Sequence, residues 1–189
     1  VQSMNIDVLA TGGMKSLLAI PGTGFLYVRD EVAETMRPRL IHGNSTADYL
    51  HWLDYDLTMA TGAARFASGS SNVPGIMAII GSLSLICELG PDNIDKHTTS
   101  IARYAAEGLS KLGLETITPR DAIGPIVTFR SPHDSEATDS MVAHLASKNI
   151  VVCKHLDAAG SAHVRISCHC YNTKADIDHA IAALGNYLN

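Results

Sequence analysis

Lys15 lies between two glycine-rich turns. Asp7-Val8-Leu9-Ala10-Thr11-Gly12-Gly13-Met14-Lys15-Ser16 carries an apolar run into a Gly-Gly turn, and Pro21-Gly22-Thr23-Gly24-Phe25-Leu26-Tyr27-Val28 turns again into a second apolar run. Glycines permit positive φ and close approach, which suits a lysine that must reach a buried partner. Partial burial makes the neutral amine accessible, and a neutral lysine amine forms a Schiff base with an aldehyde. Taken alone, Lys15 also reads as a surface lysine in an ordinary strand-to-strand loop. Two groups downstream weigh against that. Gly69-Ser70 stands in the polar loop Arg65-Phe66-Ala67-Ser68-Gly69-Ser70-Ser71-Asn72, just ahead of an apolar helix. Hydroxyls and helix N-terminal amides there suit a phosphate. Arg165, on a late strand, offers the planar fork that pairs with a carboxylate through two parallel hydrogen bonds.

These three groups form a consistent set for a pyridoxal phosphate enzyme acting on amino acids. In such an enzyme the cofactor carries the electron-sink chemistry, and the protein attaches and orients it.

The elements that must position them follow from apolar periodicity and turn residues. Ile6 to Leu9 and Gly24 to Arg29 read as strands, and Glu31 to Met36 as a helical turn ending before Pro38. Residues 39–64 lack periodicity and form a long irregular excursion of the kind that serves a site or an interface. His42 and Asn44 lie in it and are candidates for contact with substrate, while Trp52 reads as an interface or core anchor. A buried apolar helix is expected from Val73 to Leu89, stopped by Gly90. A second helix from Pro91 to Leu112 repeats Ile94, Thr98, Ile101, Ala105, Leu109 and Leu112 on one face. Then come a strand at Ile126–Phe129, a helix at Glu136–Ser147, strands at Ile150–Cys153 and His163–Cys168, and a terminal helix opened by a capping box at Thr173 and Asp176. Alternation of helices and strands gives a layered α/β or α+β unit.

Composition narrows the function classes. The 189 residues are 46% hydrophobic and 17% charged, the profile of a globular protein with a real core. A net charge of −5, with no basic run, argues against nucleic acid as a partner. The apolar stretch near Val73–Leu89 is interrupted by Pro74, Gly75, Gly81, Ser82 and Ser84, which argues against a membrane span. Cys87, Cys153, Cys168 and Cys170 have no framework spacing, so a reducing cytoplasm is the expected compartment.

The motifs resemble the class V aminotransferase family, the branch of fold-type I pyridoxal phosphate enzymes that includes cysteine desulfurases, selenocysteine lyases and isopenicillin N epimerases. The resemblance is carried by Gly12-Gly13-Met14-Lys15 with Pro21 to Val28, by Arg65 to Ile76, and by Val164-Arg165-Ile166-Ser167-Cys168-His169-Cys170-Tyr171-Asn172-Thr173 running into Asp176-Ile177-Asp178. It spans essentially the whole chain. It implies that Lys15 forms the Schiff base with pyridoxal 5'-phosphate. It implies that Ser70, beside Gly69, reaches the cofactor phosphate of the partner subunit in a homodimer. It implies that Arg165 binds the α-carboxylate of a small-molecule amino acid substrate, and that His169, Asn172 and Thr173 are structural. The expected fold is α/β, with residues 1–90 the remainder of the large cofactor-binding domain and residues 91–189 a small C-terminal α+β domain.

The family's aspartate partner for the pyridine nitrogen, its ring-stacking residue and its first phosphate loop precede the lysine by a long way. The expectation is therefore a C-terminal portion of such an enzyme, inactive alone. A desulfurase needs a mobile nucleophilic cysteine between the last two strands. Here Cys153-Lys154-His155-Leu156-Asp157-Ala158-Ala159-Gly160-Ser161-Ala162 is short, with its only cysteine at the strand end; Cys153 reads as a strand residue in preference to a thiolate assisted by Lys154 or His155. Transamination, or related lyase or epimerase chemistry, is favoured over persulfide transfer. A reading from another class is a non-catalytic relic or interaction domain that keeps the fold.

Cys168-His169-Cys170 has no second ligand pair at metal spacing and reads as buried cysteine on one strand face, so no metal is expected. Arg65 and Asn72 are expected to hold the shape of the phosphate loop.

Overall fold

A hairpin encloses the lysine turn. In the computed structural model, which describes residues 1–188 (at Trp52 the backbone alone), Val8–Gly12 (β1) and Gly24–Val28 (β2) pair antiparallel from Val8↔Val28 to Gly12↔Gly24. The expected anchoring role of the Trp52 side chain lies outside the described residues. The first strand starts two residues later than the sequence pattern suggests. Asp7 instead accepts the Arg29 N–H at 2.8 Å and pairs with the Arg29 guanidinium at 3.2 Å, closing the open end of the hairpin.

The chain divides into two compact units, Val1–Glu88 and the residues from Leu89 onward. In the first, Asp30–Thr35 (α1) follows β2, and the excursion at 39–64 is irregular as expected. Short 3-10 turns at Gly43–Ser45, Tyr49–Asp54 and Gly62–Phe66 punctuate it, and a single bridge joins Thr46 to Met59. Val73–Leu89 (α2) has the bounds the sequence gives. Its expected burial is corrected, however: Val73, Ile76, Met77, Ile80 and Leu85 are exposed, and Gly75 and Ile79 are its buried residues. A helix apolar on all sides usually lies inside a core. The hairpin and turns of this unit cover only one line along it. Among the described residues no single helix is long and apolar enough to cross a membrane.

The second unit packs three helices on one face of a small sheet. Pro91–Lys111 (α3), Ser135–Ser147 (α4) and Lys174–Leu188 (α5) cover strands Ile126–Arg130 (β3), Cys153–Leu156 (β4) and Ala162–Ser167 (β5), in the antiparallel order β3-β5-β4. Val127 and Phe129 of β3, Val164 and Ile166 of β5, Leu109 of α3, Met141 and Leu145 of α4 and Leu184 of α5 form the core. Alternation along β3 and β5 sends these side chains to the helices and leaves Thr128 and Arg165 on the other face. Phe129 is fully buried. Phe129→Ala is expected to cost about 3–5 kcal/mol, measured by urea unfolding.

Two strand placements are corrected. Ile150 does not begin β4, because its N–H closes the end of α4 on Leu145 O at 3.0 Å while Asn149 takes φ 61°. Pairing starts at Cys153↔Arg165. Cys168 lies past the end of β5, donating its N–H to Pro125 O at 2.8 Å. Cys168 and Cys170 therefore do not share a strand face; the first is buried and the second half-buried. The capping box of α5 is present, with Thr173 N–H donating to Asp176 Oδ2 at 2.7 Å and Asp176 N–H to Thr173 Oγ1 at 3.4 Å.

Candidate functional site

The lysine turn is fixed by backbone and by one wedge. Gly13 N–H donates to Thr23 O and Ala19 N–H to Gly13 O, both at 2.8 Å, and Leu18 N–H returns to Lys15 O at 2.9 Å. Thr23 fits between Gly13 and Gly75. A Cβ on Gly13 would stand 2.7 Å from Thr23 Oγ1, and one on Gly75 would stand 2.1 Å from Thr23 Cγ2. The two glycines thus let the lysine turn lock against the first turn of α2, immediately behind the Gly69-Ser70 loop. The partial burial expected of Lys15 is not found: the side chain is exposed, and no ion pair to it occurs among the described residues.

Ahead of α2 the loop turns at Gly69, where φ is 72°, and leaves Ser70 exposed. The amides of the first helical turn are already used. Val73 N–H donates to Ser71 O at 3.0 Å, Pro74 has none, and Gly75 N–H donates to Asn72 Oδ1 at 3.1 Å. This corrects the expectation that helix-terminal amides are open to a phosphate. The Ser70 N–H and hydroxyl have no partner among the described residues. Asn72 caps the helix, the shape-holding part anticipated for it.

The excursion reaches this loop. Asn44 Nδ2 donates to Gly69 O at 3.0 Å. His42 is engaged locally: its ring accepts the Asn44 N–H at 3.4 Å, and its own N–H donates to the buried Ser45 Oγ at 2.8 Å. Of the two excursion residues expected near substrate, the structure brings Asn44 to the Gly69-Ser70 loop, while His42 caps the turn that carries Asn44.

Arg65 holds the excursion to α1. It is 5% exposed, donates from Nη1 to Ala33 O at 2.6 Å and from Nε to Ala60 O at 3.1 Å, and pairs with Glu34. The Gly62 N–H first, and then Arg65, hold the Glu34 carboxyl below its ordinary range. A depressed native pKa contributes stability above the unfolded value and loses it as pH falls. Arg65→Ala should cost about 2–3 kcal/mol, since it removes the Arg65 donor from Ala60 O, leaves Ala33 O with only the Met36 N–H, and unpairs Glu34. Arg65→Lys should recover little, because one ammonium does not span all three acceptors. Urea unfolding of both variants at neutral pH checks this, and the gap from wild type should narrow in acid.

In the second unit, Arg165 is central on the middle strand. Its cross-strand neighbours are Thr128 and Cys153, on the face away from the helices. Thr128 was not legible as a neighbour, because strand register is not written in a single sequence. Arg165 Nε is buried and has no hydrogen-bond partner among the described residues. An unsatisfied buried donor costs about 1–3 kcal/mol.

The surroundings of Cys153 bear on nucleophilic chemistry. Cys153 is exposed at the start of β4. Lys154 points the other way, donating to Ser135 O at 2.8 Å and pairing with Asp139 at 2.6 Å, so it does not assist Cys153. Residues 157–161 form a tight turn in which Asp157 Oδ1 accepts the N–H groups of Ala159 and Ser161 at 2.9 and 2.8 Å. Burial pushes the Cys168 thiol up, away from thiolate chemistry. No group of three or more candidate metal ligands occurs among the described residues.

The family model described as aminotransferase class-V matches residues 1–180. The uncharacterized aminotransferase YcbU of Bacillus subtilis (strain 168) is 32% identical over 182 residues, which cover 96% of this chain and 45% of that protein. A probable cysteine desulfurase of Pyrococcus abyssi is 28% identical, over 97% of this chain and 47% of its own length. The chain thus spans about half the length of the curated relatives it matches. The apo structure of a cysteine desulfurase from Thermococcus onnurineus NA1 superposes with a TM-score of 0.84 at 23% identity, covering 98% of this chain and 48% of that one. The expected fold type I architecture is borne out.

Proposed function

Because this chain belongs to the class-V aminotransferase family, we propose that it supplies the lysine, the phosphate loop and the carboxylate arginine of a pyridoxal 5'-phosphate-dependent enzyme that transaminates an amino acid. Residues 1–90 are, on this reading, the lysine-bearing part of the large cofactor domain, and residues 91–189 the small domain. The residues present fit the cofactor and its substrate. Among the described residues, Lys15 is exposed without an ion pair, the Ser70 N–H and hydroxyl have no partner, and Arg165 Nε lacks an acceptor.

When bound, the cofactor supplies an electron sink for charge developing at the substrate Cα. The Lys15 amine anchors it and then carries a proton to and from that carbon. Ser70 holds the phosphate, across the interface of a cytoplasmic homodimer. Arg165 takes the α-carboxylate in a two-point grip and so fixes which Cα bond faces the lysine.

The observation that carries this reading is the Arg165 Nε, a buried donor with no acceptor among the described residues. Desulfuration is a second reading, favoured by the relatives that bear that name. The tight turn at residues 157–161 weighs against it, as does the position of Cys153 within β4. The two separate in one assay. As part of a full-length class-V protein, the chain is given pyridoxal 5'-phosphate and L-amino acids with a 2-oxo acid acceptor, and new amino acid is quantified. A parallel reaction with L-cysteine and a thiol reductant is read for sulfide. Amino transfer without sulfide is expected. Sulfide that disappears in Cys153→Ser would put desulfuration first, and no product in either assay would favour the non-catalytic relic.

A further inference from the structure

The peptide between Gly69 and Ser70 is held by a side chain from far along the chain. Asn44 Nδ2 donates to Gly69 O at 3.0 Å across 25 residues of sequence. The peptide is trans, as are all peptide bonds among the described residues, so its carbonyl and its N–H point in opposite directions. Fixing the Gly69 carbonyl toward Asn44 therefore aims the Ser70 N–H away from Asn44. That N–H meets no acceptor among the described residues. Gly69 itself has nothing within 4 Å of where a Cβ would lie, so glycine is needed there for its φ of 72° rather than for space. With the amides of Val73 and Gly75 already engaged, the Ser70 amide is a backbone donor the loop can still offer.

Asn44 is in turn held in place. The 3-10 turn at Gly43–Ser45 is closed by Ser45, whose buried hydroxyl donates to His42 O at 2.6 Å and accepts the His42 N–H at 2.8 Å. The His42 ring accepts the Asn44 N–H. The chain of contacts runs from His42 through Asn44 to the Gly69 carbonyl, and so to the direction of the Ser70 N–H.

We propose that Asn44 is a positioning residue for the cofactor phosphate. It orients the Ser70 amide through the peptide plane without touching cofactor or substrate, and His42 steadies it. This assignment rests on the pyridoxal 5'-phosphate reading above, and it replaces the direct substrate contact expected for these two residues.

The test compares the binding of pyridoxal 5'-phosphate with that of pyridoxal, which lacks the phosphate. Affinities are measured calorimetrically for wild type, Asn44→Asp, Asn44→Ala and Asn44→Gln, with thermal midpoints confirming that each is folded. The wild type should prefer the phosphate ester. Asn44→Asp has the same shape but no amide donor, and it should reduce that preference about tenfold, the scale of one hydrogen bond to a charged group. Asn44→Ala should do the same, and pyridoxal affinity should change less than about twofold in both. Asn44→Gln, which keeps a donor, should recover part of the preference. A wild-type preference left intact in Asn44→Asp and Asn44→Ala would overturn the assignment alone. Equal weakening of both ligands would also overturn it, since that marks general loop damage. A wild type with no preference at all would sink the cofactor reading, and this assignment with it.

Discussion

Within a full-length class-V enzyme, Arg165→Ala is expected to lower kcat/KM for an amino acid substrate by about 10²- to 10³-fold while leaving pyridoxal 5'-phosphate affinity within about twofold. A two-point guanidinium–carboxylate grip contributes two charge-assisted hydrogen bonds of roughly 1.5–3 kcal/mol each, and each 1.36 kcal/mol is about tenfold in rate. Arg165→Lys should not restore the rate, because an ammonium offers a point charge where the substrate needs a fork. Stability provides the control. Arg165 Nε is buried without a partner among the described residues, so the wild type carries a desolvation cost that the alanine variant sheds. The thermal midpoint of Arg165→Ala should therefore stay level or rise. A variant that loses stability and activity together would assign Arg165 to the scaffold instead.

Lys15→Ala is expected to abolish turnover, by about 10³-fold or more, with little change in stability. The side chain is exposed and has no ion pair among the described residues, and surface substitutions of that kind usually move stability by less than about 0.5 kcal/mol. Its loss from the reaction is a different matter, since proton transfer alone contributes about 10²- to 10⁴-fold. Lys15→Arg keeps the charge but not a nucleophilic amine, and it should be as inactive as alanine. Steady-state rates with unfolding curves for both variants give the answer. Activity retained in Lys15→Arg would restrict Lys15 to a charge role.

Much of this protein is legible in its sequence because its local signals agree with one another. Pro91 at the start of α3, the Thr173–Asp176 box before α5 and the loop ahead of Val73 each mark an end that the structure keeps. What escaped was set by contacts distant in sequence. β4 begins at Cys153 and not Ile150 because the left-handed Asn149 commits the Ile150 N–H to closing α4. The apolar sequence of α2 predicts a buried helix, yet burial depends on what surrounds it, and the first unit covers only the Gly75–Ile79 line. The same holds for the site. Lys15, Ser70 and Arg165 are each legible as residue types in suitable turns and strands. The wedge of Thr23 between Gly13 and Gly75, the loss of the Val73 and Gly75 amides to internal bonds, and the Asn44 contact to Gly69 are not. Each joins atoms from separate segments, and only coordinates reveal them.

The most direct measurement for the central claim is reductive trapping. The protein is incubated with pyridoxal 5'-phosphate, reduced with borohydride, digested, and its peptides are mapped by mass spectrometry. A phosphopyridoxyl adduct confined to Lys15 and lost in Lys15→Ala is expected. Adducts scattered over surface lysines such as Lys96, Lys111 and Lys148, with none favoured, would contradict it.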